Sequence, residues 1–203
     1  MLKLVLASQS PRRRELLEKA GFDFTVSLVK VSEIFDENMN PSEVASHLAT
    51  KKGLACFEQH KSLNQPGNLI LSADTIVVLG DQILGKPESP PQALDFLRRL
   101  SGRTHYVMSG LALLRSGSEE RFVTTVVSEV RFRRLTDEEI SAYVATGEPM
   151  DKAGAYAIQG GAEKFVVSLV GSWTNVVGLP MEVLANVLQE KGWSVGRRTP
   201  KAT

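Results

Sequence analysis

Apolar positions along the chain follow two periods, and the change from one to the other marks the elements. Leu2 to Ala7 is a short, nearly continuous apolar run, the pattern of a buried strand. Ser10-Pro11 then opens a helix through Leu16, Leu17 and Ala20, which Gly21 stops. Phe22 to Val31 has strand character. Asn40-Pro41-Ser42-Glu43 starts a second helix with a capping box, extending to about Gln59. Leu69 to Leu79 is a long apolar strand, and a turn at Asp81-Gln82 leads into Ile83-Leu84. Ser89-Pro90 opens a helix to about Leu100. Strands follow over His105–Arg115 and Arg121–Leu135. Thr136 to Glu139 is a capping box for a helix through Tyr143 and Val144, and Thr146 to Gly161 reads as a Gly-rich loop. Phe165–Val170 and Thr174–Val177 read as a pair of strands, and Pro180 begins a last helix that Gly192 ends.

Strands and helices mix without strict alternation and without an internal repeat. The expected fold is therefore α/β, a mixed twisted sheet with flanking helices rather than a doubly wound parallel sheet. One domain over residues 1–192 is expected, followed by a disordered tail at 193–203 around Arg197-Arg198-Thr199-Pro200-Lys201.

Composition narrows the chemistry. The 42% hydrophobic and 23% charged residues suit an ordered core. A net charge of +1 lacks the basic excess expected of a nucleic-acid binder. The single cysteine, Cys56, rules out an internal disulfide and reads as a small buried hydrophobe. The three histidines, His47, His60 and His105, are widely spaced. A metal would thus rest on carboxylates and substrate phosphates, which favours Mg²⁺ or Mn²⁺. The N-terminus reads as too short for a signal peptide, and no apolar run approaches the ~20 residues of a membrane span. A cytoplasmic protein without membrane contact is the expectation.

Five segments break local rules. Asp74 interrupts the apolar run Leu69–Val78, and a carboxylate there needs a compensating partner. A metal, a lysine or a catalytic role would each supply one; alternatively, the strand ends early and Asp74 turns the chain. Lys52 shares a helix face with Ala45, Leu48, Ala49 and Cys56, so it either points inward or snorkels to the surface. Ser8-Gln9-Ser10-Pro11-Arg12-Arg13 sets hydroxyls and two guanidiniums at a helix start. That is either a phosphate cradle or an ordinary cap with a solvated arginine pair. Gly85-Lys86-Pro87 puts a cation in a tight turn. The glycines of Asp151–Gly160 allow close approach of a ligand or simply shape a turn, and Gln159 can both donate and accept. No Walker, dinucleotide-fold or nucleophile-elbow pattern occurs.

Taken in order, these segments resemble the Maf family of nucleoside triphosphate pyrophosphatases. The matching stretches are Leu-Ala-Ser-Gln-Ser-Pro-Arg-Arg (6–13), Ser-Ala-Asp-Thr-Ile-Val (72–77), Gly-Lys-Pro (85–87), Leu-Ser-Gly-Arg-Thr-His (100–105), Gly-Glu-Pro-Met-Asp-Lys-Ala-Gly-Ala-Tyr-Ala-Ile-Gln-Gly (147–160) and Asn-Val-Val-Gly-Leu-Pro (175–180). The resemblance implies two lobes around a cleft, in a fold like that of inosine triphosphate pyrophosphatase. It also implies a divalent metal and a homodimer. The implied reaction converts a nucleoside triphosphate to the monophosphate and pyrophosphate.

By the same resemblance, Asp74 is the proton acceptor. Arg12, Thr75 and Gln159 bear on substrate choice, and Glu33, Lys52 and Lys86 match other polar positions of the cleft. The Ala-Tyr-Ala-Ile-Gln-Gly form at 155–160 is similar to the branch acting on dTTP and UTP. On this reading Ser8, Ser10, Arg12, Arg13, Lys52 and Lys86 bind the triphosphate, and Glu33 and Asp74 are candidate metal ligands. Two rivals are a phosphatase releasing orthophosphate and a non-catalytic nucleotide-binding regulator of cell division.

Overall fold

Strand β1 (Lys3–Leu6) lies between two parallel partners, β2 (Phe24–Val26) and β3 (Asn68–Leu79), with Leu4 opposite both Phe24 and Leu69. The structure, a computed structural model, describes residues 1–198. Its other strands are β4 (Gln82–Leu84), β5 (Thr104–Arg115), β6 (Arg121–Phe132) and β7 (Val166–Val170). They form one seven-stranded sheet in the order β2-β1-β3-β5-β6-β7, with β4 paired to β3 off that path. The β3–β4 and β6–β7 pairs are antiparallel. The sheet is therefore mixed, and the chain has the α/β fold expected.

The helices are α1 (Pro11–Lys19), α2 (Pro41–Gln59), α3 (Pro90–Leu100), α4 (Asp137–Ala145), α5 (Trp173–Val177) and α6 (Met181–Glu190). Both capping boxes read from the sequence are formed: Asn40 with Glu43 on α2, and Thr136 with Glu139 on α4. Each satisfies two backbone donors that a helix start leaves open.

Internal contacts divide the chain into two compact units. The first comprises Met1–Asp74, Ser109–Val126 and the chain from Gly178 onward; the second comprises Thr75–Met108 and Val127–Val177. In the first unit α2 buries Val44, Ala45, Leu48, Ala49 and Cys56. Val5, Ala7, Val29, Ala55, Cys56, Ile70 and Leu114 make one apolar cluster there. The approach of α2 to β5 is close: a Cβ built on Gly110 would lie 2.0 Å from the Ala45 carbonyl oxygen. Ser72 Oγ of β3 donates to the Ala49 carbonyl at 2.7 Å, so a buried hydroxyl on that strand is satisfied by the helix.

The second unit is centred on aromatic rings. Phe132 meets His105, Tyr156 and Phe165 edge to face, and Phe165 meets Tyr143 likewise, with centroids 4.8–6.0 Å apart. Its hairpin turns at Gly80 and Asp81, one position earlier than the sequence suggests. Val77, Val78 and Leu79 then pair with Leu84, Ile83 and Gln82. Gly80 adopts φ +60°, which suits a two-residue hairpin loop.

Three further expectations are corrected. Thr174–Val177 is not a strand: Trp173–Val177 is helical. The β-branched residues suggest extended backbone, but Ser172 Oγ accepts the Asn175 amide at 3.1 Å and the Ser172 carbonyl accepts the Val176 amide, which starts a helical turn. Asn175 is fully buried and donates to the Val107 carbonyl and to Ser128 Oγ, so tertiary bonding overrides propensity. Of the strand expected over Phe22–Val31, only Phe24–Val26 pairs with β1, because β1 ends at Leu6; the last link is the Ser27 amide to the Leu6 carbonyl at 2.9 Å. Residues 193–198 are also held. Trp193 is buried, Val195 bridges to Leu2, Arg197 bridges to Phe22, and the Arg198 amide donates to the Gly21 carbonyl at 2.7 Å. Residues 199–203 of that expected tail lie outside the described residues.

Candidate active site

A long strand covered on both faces selects apolar residues in sequence, and β3 is buried at nearly every position. Asp74 sits within it, its side chain 9% exposed. Of the explanations open to the sequence, the structure shows a lysine: Lys52 Nζ donates to Asp74 Oδ1. The same ammonium donates to Glu33 Oε1 at 2.9 Å. Lys52 is 15% exposed, so it points inward rather than snorkelling. The helical face shared with Ala45, Leu48 and Ala49 aims it at β3. Glu33, 48% exposed, belongs to the irregular segment between β2 and α2. That segment is pinned along α2: the Gln59 side chain donates to the Lys30 carbonyl at 2.8 Å, and Lys51 Nζ donates to the Ile34 carbonyl at 3.2 Å.

The Ser8–Arg13 loop lies in the same unit. Arg13 is buried; its Nε donates to the Gly178 carbonyl at 2.7 Å and its Nη1 to Ser8 Oγ at 3.1 Å. Ser8 Oγ also accepts the Ser10 amide at 3.2 Å. Ser10 occupies the N-cap of α1 with no side-chain cap bond. Burial draws the Arg13 guanidinium below its ordinary pKa. Asp74 and Glu33 oppose that by charge, and Arg12 reinforces it. Arg13 thus lies within electrostatic reach of the Lys52-bridged carboxylates, while Arg12 stays half-exposed at the start of α1. Gly178, whose carbonyl anchors Arg13, carried no role in the sequence reading. The only signal was its place in the stretch 175–180.

Thr75, Lys86 and Gln159 belong to the second unit. Thr75 follows Asp74 on β3 and is half-buried; Lys86 and Gln159 are exposed. The Lys86 turn and the Gly-rich segment are joined, since the Gly154 amide donates to the Gly85 carbonyl at 3.0 Å. Gly154 has φ +66°, and a Cβ there would lie 2.8 Å from Val77, so glycine is required on both counts.

Among the described residues no group of three or more His, Cys, Asp or Glu side chains gathers as a metal site. Glu33 and Asp74 are nevertheless two hard oxygen donors meeting on one ammonium. Mg²⁺ commonly takes only one or two protein carboxylates and completes its shell with water and substrate phosphate, so this pair fits Mg²⁺ or Mn²⁺ arriving with a phosphate ligand.

A buried carboxylate held by an ammonium, beside a helix start carrying two guanidiniums, is the equipment of a hydrolytic enzyme for an anionic phosphate substrate. The chain belongs to the Maf-like protein family, whose model matches residues 3–191. It is 44% identical over 192 residues to the dTTP/UTP pyrophosphatase of Desulforamulus reducens, covering 95% of this chain and 98% of that one. It is 43% identical to the dTTP/UTP pyrophosphatase of Bdellovibrio bacteriovorus over 92% of this chain and 97% of the relative. The structure of the Staphylococcus aureus Ham1 protein aligns with 93% of this chain and 99% of its own, at TM-score 0.47 and 15% identity. No helix among the described residues is long and apolar enough to cross a membrane.

Proposed function

We propose that this chain hydrolyses dTTP and UTP to the nucleoside monophosphate and pyrophosphate, a house-cleaning step on the nucleotide pool, acting as a homodimer in the cytoplasm. The observation that carries the reading is the Lys52 bridge to Asp74 and Glu33 beside the Arg13-anchored loop, in a chain that belongs to the Maf-like family. The dTTP/UTP pyrophosphatases to which it is more than 40% identical support the substrate class.

A triphosphate is strongly anionic, so attack at its α-phosphorus requires neutralisation of charge. Ser8, Ser10, Arg12, Arg13 and the amides at the start of α1 bind its oxygens, with Lys52 adding positive potential beside Asp74 and Lys86 a further cation. Asp74 accepts the proton from the attacking water, a role worth roughly 10²–10⁴ in rate. Lys52 holds that carboxylate in place. Glu33 and Asp74 are the donors available to Mg²⁺ or Mn²⁺, which when bound neutralises phosphate charge and acidifies water. In the second unit, Gln159 donates to and accepts from the pyrimidine edge, and Thr75 shapes its surroundings.

The test is a panel of nucleoside triphosphates with Mg²⁺, Mn²⁺ or EDTA, assayed for pyrophosphate. Pyrophosphate from dTTP and UTP, lost in EDTA, is expected. Release of orthophosphate instead, or rapid turnover of 7-methyl-GTP without that of dTTP or UTP, would overturn the reading.

A further inference from the structure

The turn that carries Gln159 is gripped on both sides by a pair of side chains outside it. Ala157 and Ile158 are buried and the Gly160 amide closes back on the Ala157 carbonyl at 3.1 Å, leaving Gln159 as the exposed residue of a tight turn. Tyr143 of α4 sends its hydroxyl beneath that turn, where it accepts the Ala157 amide at 3.1 Å and donates to Glu148 Oε1 at 2.7 Å. The other oxygen, Oε2 of Glu148, accepts the Gly161 amide at 3.2 Å. One phenol and one carboxylate thus bind the amides immediately outside Ile158-Gln159-Gly160. The fit is close: a Cβ at Gly160 would lie 2.2 Å from Glu148 Oε1, so glycine at 160 is what lets the carboxylate approach. Glu148 is itself fixed by its amide, which donates to Thr146 Oγ1 at 3.2 Å, and the Tyr143 ring packs edge-on against Phe165 at 5.3 Å.

We propose that Tyr143 and Glu148 are positioning residues for nucleobase selectivity, acting by fixing the turn that presents Gln159; this rests on Gln159 as the reader of the pyrimidine edge. A side-chain amide discriminates between bases only if its oxygen and nitrogen are held in register with the base, and an exposed glutamine on a loose turn lacks that register. Hydrogen bonds to a charged acceptor such as Glu148 are among the stronger ones a turn can use.

The experiment compares kcat and KM for dTTP, UTP and GTP in the full chain and in Gln159→Ala, Tyr143→Phe, Glu148→Gln and Glu148→Ala. Tyr143→Phe keeps the ring against Phe165 and removes only the hydroxyl. It is expected to lower the dTTP-over-GTP ratio of kcat/KM by about tenfold, through KM for dTTP with kcat little changed, as is Gln159→Ala. Tyr143→Phe combined with Gln159→Ala is expected to be no less selective than Gln159→Ala alone, because both changes remove one function. Glu148→Gln retains an acceptor oxygen and is expected to recover most of the selectivity lost in Glu148→Ala. Amide hydrogen exchange gives a second readout: Tyr143→Phe is expected to speed exchange at Ala157 and Gly161 at least tenfold while β5 and β6 stay protected. Wild-type selectivity in Tyr143→Phe with lost selectivity in Gln159→Ala overturns the positioning role alone. Wild-type selectivity in Gln159→Ala overturns the reading of Gln159 and the proposal with it.

Discussion

Lys52 reaches from α2 to Asp74 on β3, joining residues 22 positions apart through a side-chain contact in the interior of the first unit. The lysine has a second partner in Glu33, whereas Asp74 depends on the cations around it, Lys52 by contact and Arg13 at longer range. The two halves of the pair are therefore unequal. Lys52→Met leaves a carboxylate in an apolar strand without its ammonium, and breaking a buried pair this way costs up to about 3–5 kcal/mol. Residual exposure of both side chains lowers the expected loss to about 2–3 kcal/mol. Asp74→Asn leaves Lys52 with Glu33 and is expected to cost under about 1.5 kcal/mol, while lowering pyrophosphate release roughly 10²–10⁴-fold. Urea unfolding beside the pyrophosphate assay checks both. Equal destabilisation by the two variants would refute the asymmetry.

Arg13 illustrates a different dependence, on the shape of its head group. Its Nε and Nη1 donate in different directions, to the Gly178 carbonyl and to Ser8 Oγ. A lysine ammonium supplies charge at one point and cannot span both acceptors. Arg13→Lys is expected to cost about 2 kcal/mol in urea unfolding and to reduce turnover more than a surface charge change would. Unchanged stability in Arg13→Lys would show that the guanidinium is held mainly by charge and not by its fork.

What the sequence displayed and what it hid follow from the range of each interaction. The capping boxes at Asn40 and Thr136 are local, and their spacing declared them. Asp74 was legible as an anomaly because an apolar strand surrounds it. Its partner was not, since helical spacing left Lys52 between inward and outward readings and only β3 decides between them. The Glu33 contact and the Arg13 bond to Gly178 join residues 19 and 165 positions apart and leave no periodic trace. The α5 segment misled for the converse reason: Thr174, Val176 and Val177 look extended, while the deciding contacts of Asn175 come from β5 and β6.

Two glycines separate a steric requirement from a conformational one. Gly110 needs no positive φ, yet a methyl group there would press on the Ala45 carbonyl. Gly80 meets nothing within 4 Å but sits at φ +60°. Gly80→Ala is expected to cost about 1–2 kcal/mol from the left-handed backbone alone. Gly110→Ala must displace α2 from the sheet and is expected to cost at least about 3 kcal/mol, the upper range of overpacking. Thermal unfolding of the two variants compares them directly, and a Gly110→Ala protein as stable as Gly80→Ala would contradict the steric reading.

The stability of the chain should fall with acid through His105. The ring is fully buried, with Nε2 2.9 Å from the Tyr156 hydroxyl and the ring edge-to-face with Phe132. Burial holds its pKa down at about 4, against an ordinary value of 6.5; the Arg103 backbone opposes that shift only in part. Above pH 6.5 both native and unfolded chains carry a neutral ring, and the preference for the native state is undiminished. Between 6.5 and 4 the unfolded chain binds a proton that the native chain refuses, so stability is lost as pH falls across that window. The difference amounts to on the order of 3 kcal/mol by pH 4. Glu139, held down to about 2 first by its bond from Arg133, acts in the same sense but in a lower window, between its ordinary 4.5 and that value. His105→Gln keeps a side chain able to meet the Tyr156 hydroxyl and removes the titration. Urea midpoints measured at steps from pH 7 to 4.5 should slope downward in the natural chain and run nearly flat in His105→Gln. The same slope in both would locate the acid sensitivity elsewhere.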